Sequence, residues 1–231
     1  MNKIIVNNQA ELDAIPLDFE GVIHVIGDIS IIDKNYINAE IHISGNANIN
    51  RICGDTRIES ISGNVFVRYT YNTARVKNVS GTVMMRSISD NVMVDNVFGR
   101  AILHGVYGYV KINNVHEHAT IRYVDFMVEI TNVYGDVIIH NVVDQVSINN
   151  VYGNVRISDI FGNVKISDVR DNVQINNVRY TIWYGTPKIS NVKGSVKISD
   201  MCDTTEITDI HDGVEIEYVK VEYPDLLLKK N

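Results

Sequence analysis

Apolar residues recur along this chain with a period of nine. The unit is plainest in Asn150-Val-Tyr-Gly-Asn-Val-Arg-Ile-Ser158, Asp159-Ile-Phe-Gly-Asn-Val-Lys-Ile-Ser167 and Asn191-Val-Lys-Gly-Ser-Val-Lys-Ile-Ser199. Its first position is mostly Asn, Asp or Ser, its second Val or Ile, its fourth often Gly or Asp, and its sixth and eighth are apolar. Two apolar residues around a polar one predict a short strand with one buried face. The Gly-Asn and Asp-Asn pairs at positions four and five are turn chemistry. A strand this short cannot bury itself, whereas stacked copies can, which is the logic of a β-solenoid. The unit runs without a slip from His42 to Asn176. Five extra residues fall between Asn177 and Ser190, and the pattern resumes from Asn191 to Glu217.

The fourth position suggests how many units make a coil. Every third unit has glycine there: Gly27, Gly54, Gly81, Gly108, Gly135, Gly162 and, after the insertion, Gly194. The next phase carries Gly63 and then five acids, Asp90, Glu117, Asp144, Asp171 and Asp203. This predicts an all-β, three-sided parallel solenoid (β-helix) of about 27 residues per coil, with about seven coils over residues 24–217. Residues 1–23 are expected to form an N-terminal cap, with a strand at Lys3–Val6 and a short helix from an Asn8 N-cap to a stop at Pro16. Residues 218–231 leave the repeat, and Leu226, Leu227 and Leu228 there are candidates for capping the last coil or for oligomer contacts.

Composition agrees with strands. The chain has 32 Val and 33 Ile against 6 Leu and 7 Ala, and β-branched side chains favour pleated surfaces over helices. A helical bundle is excluded. A formal net charge of −7 argues against nucleic acid or an anionic membrane as partner. No apolar run approaches a membrane span, and the N-terminus carries no continuous apolar signal region. Cys53 and Cys202, about five coils apart, are expected to be free thiols. A cytoplasmic location is expected, or a virion-associated one for a phage protein.

The opening Glu11-Leu-Asp-Ala-Ile-Pro-Leu-Asp-Phe-Glu-Gly21, followed by short Val-rich repeats, resembles uncharacterised short-repeat β-solenoid proteins of bacteria and phages. The resemblance implies a prokaryotic or phage origin. That family has no established activity, so it implies no functional residues.

Candidate chemistry is sparse. Nucleophile-elbow, phosphate-loop, His-Glu-x-x-His and Cys-x-x-Cys signatures are missing, so no enzyme and no cofactor are expected. The acid column reads as turn-forming carboxylates, with a row of Ca²⁺ sites as the sharper alternative. His116-Glu117-His118, with Asp90 and Asp144 one 27-residue coil away, is the nearest approach to a metal constellation, though no metal site is expected. Tyr107, Tyr134 and Phe161 share one corner at 27-residue spacing, and Tyr71, Phe98 and Tyr152 another. Such columns brace coils or bind a partner. The insertion, with Trp183, Tyr184 and Tyr180, is the best candidate contact loop. The expected function is a rigid, non-catalytic scaffold that binds a protein or itself. A carbohydrate-binding or carbohydrate-active rod, with a polysaccharide partner, and an acidic DNA mimic are the alternatives.

Overall fold

A computed structural model describes residues 2–16, 19, 21–31, 39–52, 56–71, 73–178, 187–201 and 205–218. Cys53, Cys202, Tyr180, Trp183, Tyr184, Leu226, Leu227 and Leu228 lie outside these residues, and the expectations made for them rest on the sequence alone.

The chain is an all-β parallel solenoid of about ten coils spaced about 18 residues apart. Among the described residues, strands run from β1 (Asn2–Val6) to β23 (Val214–Tyr218) and fall into two sheets. A front sheet holds β1 and the even-numbered strands, and a back sheet holds the odd-numbered strands from β3 (Ile29–Ile31) onward. All pairing is parallel and nearly all of it in register. Val92 of β10 (Val92–Val97) faces Val110 of β12 (Val110–Val115), which faces Val128 of β14 (Val128–Val133). At ~4.8 Å per coil the rod is roughly 50 Å long.

Each nine-residue unit thus makes one side of a two-sided coil, and the three-sided, 27-residue, seven-coil reading is corrected. The fourth-position column explains why. Counted in steps of 18 it reads Gly27, Gly45, Gly63, Gly81, Gly99, Glu117, Gly135, Gly153 and Asp171, and Gly194 follows the insertion. The coils approach so closely at this edge that a Cβ added at Gly45 would sit 2.5 Å from the Gly27 carbonyl. The glycines therefore report stacking at 18. Acids spaced by 27 alternate between the two edges of the rod. The side chains agree with two facing sheets, because the buried positions are almost all Val, Ile and Ala.

The typical strand has six residues and the burial order in, out, in, out, out, in. Strict alternation would turn the second-position Val or Ile outward. The first-position residue prevents this by adopting left-handed backbone: φ is 54° at Asn96, 54° at Asn114, 55° at Asn132 and 56° at Asn150. Asn and Asp accept that conformation most readily after glycine. The Asn excess is therefore only partly turn chemistry, since many of these residues are kinks within strands.

The N-terminal segment forms a strand and a short helix. Helix α1 (Gln9–Asp13) follows Asn8, whose side chain accepts the Glu11 backbone N–H at 3.0 Å. Leu12 and Ile15 are buried over the end of the core. Strand β1 pairs with β2 (Gly21–Val25), so the front sheet begins inside the segment read as cap. The five-residue insertion is absorbed between β19 (Val173–Val178) and β20 (Lys188–Val192). Lys188 still pairs in register with Lys165 of β18 (Val164–Val169).

Candidate functional site

Two units per coil redistribute every sequence-derived column. Asp90 and Asp144 lie in turns leading from back to front. Glu117 and Asp171 lie on the opposite edge. Asp90 is stacked by Gly108 and Asp144 by Gly162, so neither carboxylate meets another acid in the next coil at that position. The residues weighed as a metal constellation, His116, Glu117, His118, Asp90 and Asp144, do not come together, since Asp90 and Asp144 lie on the other edge. His116 lies between the rings of Phe98 and Tyr134, Glu117 pairs with Arg100 at 3.2 Å, and His118 Nδ1 accepts the Asp136 backbone N–H at 2.9 Å. These side chains tie coils together. Fifth-position residues do so generally: Asn46, Asn64, Asn91, Asp136, Asn154 and Asn172 each accept a backbone N–H from the following coil.

The aromatic columns are likewise reassigned. Tyr107 and Phe161 project from the back-to-front edge, and Tyr134 from the other. The real column is Phe98, His116, Tyr134 and Tyr152, with ring centroids 4.6, 5.0 and 4.8 Å apart, closed by the Arg170 guanidinium 3.7 Å from the Tyr152 centroid. From His116 to Tyr152 each ring is stacked on both sides, by rings or by the Arg170 guanidinium, and only Phe98 has a ring on one side alone among the described residues. A sugar recognised by stacking needs free ring faces, so most of this column reads as bracing.

The outer faces of the two sheets differ in charge. On the front face opposite charges meet across coils. Lys111 Nζ lies 2.9 Å from Glu129, and Lys188 lies 2.6 Å from Glu206. Hydrogen bonds from Tyr109 and Lys111 hold the Glu129 carboxyl below its ordinary range, and burial with that same bond pushes the Tyr109 hydroxyl up.

The back face is different. Its strands β5 (Ala47–Ile52), β7 (Val65–Thr70), β9 (Val83–Ile88), β11 (Ala101–Val106), β13 (Ala119–Val124) and β15 (Val137–Val142) carry four arginines, two histidines and no Asp or Glu. Ninth-position residues Arg68, Arg86, His104, Arg122 and His140 stand on neighbouring strands in register. The three arginines are exposed and make no ion pair among the described residues. Beside them runs a half-buried seventh-position column, Phe66, Met84, Ile102, Thr120 and Ile138. Tyr123 lies between His104 and His140, at centroid distances of 4.9 and 6.1 Å, and holds a φ of 58° that a bulky residue adopts only under strain. An open hollow of about 360 Å³, lined by Ser30, Asn48, Asn50, Phe66 and Arg68, continues the face toward the N-terminal end. The basic stretch stops at β17 (Val155–Ile160), where Asp159 pairs with His140 at 2.9 Å.

The sequence contained this face, but 27-residue counting scrambled it. In steps of 27 the seventh-position residues Arg57, Met84, Lys111, Ile138, Lys165 and, after the insertion, Lys197 fall in one column, where Met84 and Ile138 interrupt the cations. Arg57, Lys111 and Lys165 are in fact on the front face, and Met84 and Ile138 belong to the back.

Compared with protein-family models, curated proteins and solved structures, the chain matches none. Among the described residues no helix is long and apolar enough to cross a membrane.

Proposed function

We propose that this chain is a non-catalytic solenoid scaffold that binds an acidic protein surface along its back face. One observation carries the reading: in a chain of net charge −7, six successive back strands hold four arginines and two histidines beside an apolar column, with no Asp or Glu on the strands themselves. Half-buried apolar side chains on an outer face, flanked by cations, suit a partner presenting apolar residues rimmed by carboxylates. Unpaired rim charges of one sign steer such a partner and set its orientation. A rod braced by stacked rings and side-chain ladders holds the face in one shape, so little ordering entropy is lost on binding. The apolar column favours protein over a nucleic-acid backbone, which would be met by cations alone. A bacterial or phage setting fits the leader segment.

The test is charge reversal. The variant R68E/R86E/R122E should remain folded, since all three side chains are exposed, and should lose binding to the partner by at least about tenfold. Wild-type binding should weaken with salt. If self-association is lost instead, the occupant is a second copy of the chain. If binding survives the three reversals, the back face is not the site.

A further inference from the structure

A second site lies on the other face, near the N-terminal end. Glu40 and His42 stand two residues apart on β4 (Ala39–Ile43), so both project to the outer side of the front sheet. The pairing of β4 with β6 (Thr56–Ile61) runs at an offset of 17 rather than 18 residues. This sets Glu59 directly opposite His42. One ligand atom from each of Glu40, His42 and Glu59 lies within 4.8 Å of the others, and all three residues are half-buried. His24, opposite His42 on β2, holds its ring 5.1 Å from the His42 ring.

We propose that Glu40, His42 and Glu59 form a zinc-binding site. Their donor set is one imidazole nitrogen and carboxylate oxygens, which suits Zn²⁺ and falls short of the six or more oxygens Ca²⁺ requires. Tetrahedral ligands at bonds of ~2.0–2.1 Å stand about 3.3 Å apart, so modest side-chain rotation closes the site. His42 Nε2 and Glu40 already meet at 2.5 Å, a contact in which the metal takes the place of the shared proton. The Glu59 carboxylate, by contrast, has no hydrogen-bond or ion-pair partner among the described residues, although Arg57 and Lys77 stand nearby in register. A half-buried carboxylate left unpaired beside an imidazole is what a cation would satisfy. Three protein ligands leave the fourth position open to water or to His24, so the ion is exchangeable.

The probe is Zn²⁺ itself, titrated into tag-free protein that has been treated with chelator, with Co²⁺ absorption reporting coordination geometry. One equivalent of Zn²⁺ should bind at micromolar affinity or tighter, raise the melting temperature and give a tetrahedral Co²⁺ spectrum. His42→Ala and Glu59→Gln should each weaken binding at least tenfold, while His118→Ala leaves it unchanged. Binding no tighter than millimolar, or binding indifferent to both His42→Ala and Glu59→Gln, overturns the site. Circular dichroism melts of the metal-free variants check that each is folded.

Discussion

At the scale of single residues, the first-position asparagine does two jobs. Its left-handed backbone returns the next Val or Ile to the core, and its side chain links coils. Asn132 shows both: φ is 55°, its amide donates to Asn113 at 2.8 Å, and it accepts from Asn150 at 2.6 Å. Replacement by Ala removes two hydrogen bonds at about 1 kcal/mol each and strains the backbone by about 1 kcal/mol more. Replacement by Gly removes the same bonds but keeps the conformation at no steric cost. Asn132→Ala should therefore melt lower than Asn132→Gly, the reverse of the usual order inside a strand. At about 2–4 °C per kcal/mol for a chain of this size, calorimetry resolves the difference. The sequence announced Asn or Asp at the first position of most units but not this role, because strand periodicity alone cannot distinguish a kink within a strand from a turn after it.

At the scale of elements, the unit of nine and its strand were legible because Val and Ile recur at fixed positions. The cap helix was legible too, through Asn8 as N-cap and Pro16 as stop. The number of units per coil was not. Two periodicities are written on the fourth position: a steric one at 18, in the Gly45 to Gly99 run, and an accidental one at 27, in the acids. Only close backbone contact separates them. Engineered cysteines test the coil directly in a background with Cys53 and Cys202 replaced by Ser. Met84→Cys with Ile102→Cys places thiols on facing residues of adjacent strands, within disulfide reach. That pair should oxidise readily. Met84→Cys with Lys111→Cys, spaced by 27, puts thiols on opposite faces of the rod and should stay reduced. The metal cluster was hidden for a related reason. It arises where β4 and β6 pair at an offset of 17, outside the regular register that made the rest readable.

At the scale of the whole molecule, charge acts on stability. Glu129 and Asp136 both titrate below their ordinary range. For Glu129 the cause is hydrogen bonds from Tyr109 and Lys111. For Asp136, burial pushes the other way and is outweighed by the Asn154 backbone and side-chain donors, with His118 and Arg156 adding attraction. A depressed folded-state pKa means the unfolded chain takes up protons first. The stabilisation is therefore complete above the ordinary carboxyl value and is lost as pH falls through the lowered values. Melting temperature should hold from neutral pH to about pH 5 and drop below about pH 4. Glu129→Gln should flatten part of that drop.

The proposed recognition surface is the back face, where Arg68, Arg86 and Arg122 flank Phe66, Met84 and Ile102. The most direct measurement places a photo-crosslinking amino acid at Ile102 in cells that express the chain, with Lys165 on the front face as the comparison. A cross-link to another protein at position 102, absent at 165 and abolished by R68E/R86E/R122E, is expected. Cross-links that form only at 165, or that persist at 102 after charge reversal, would contradict a partner held by the basic back face.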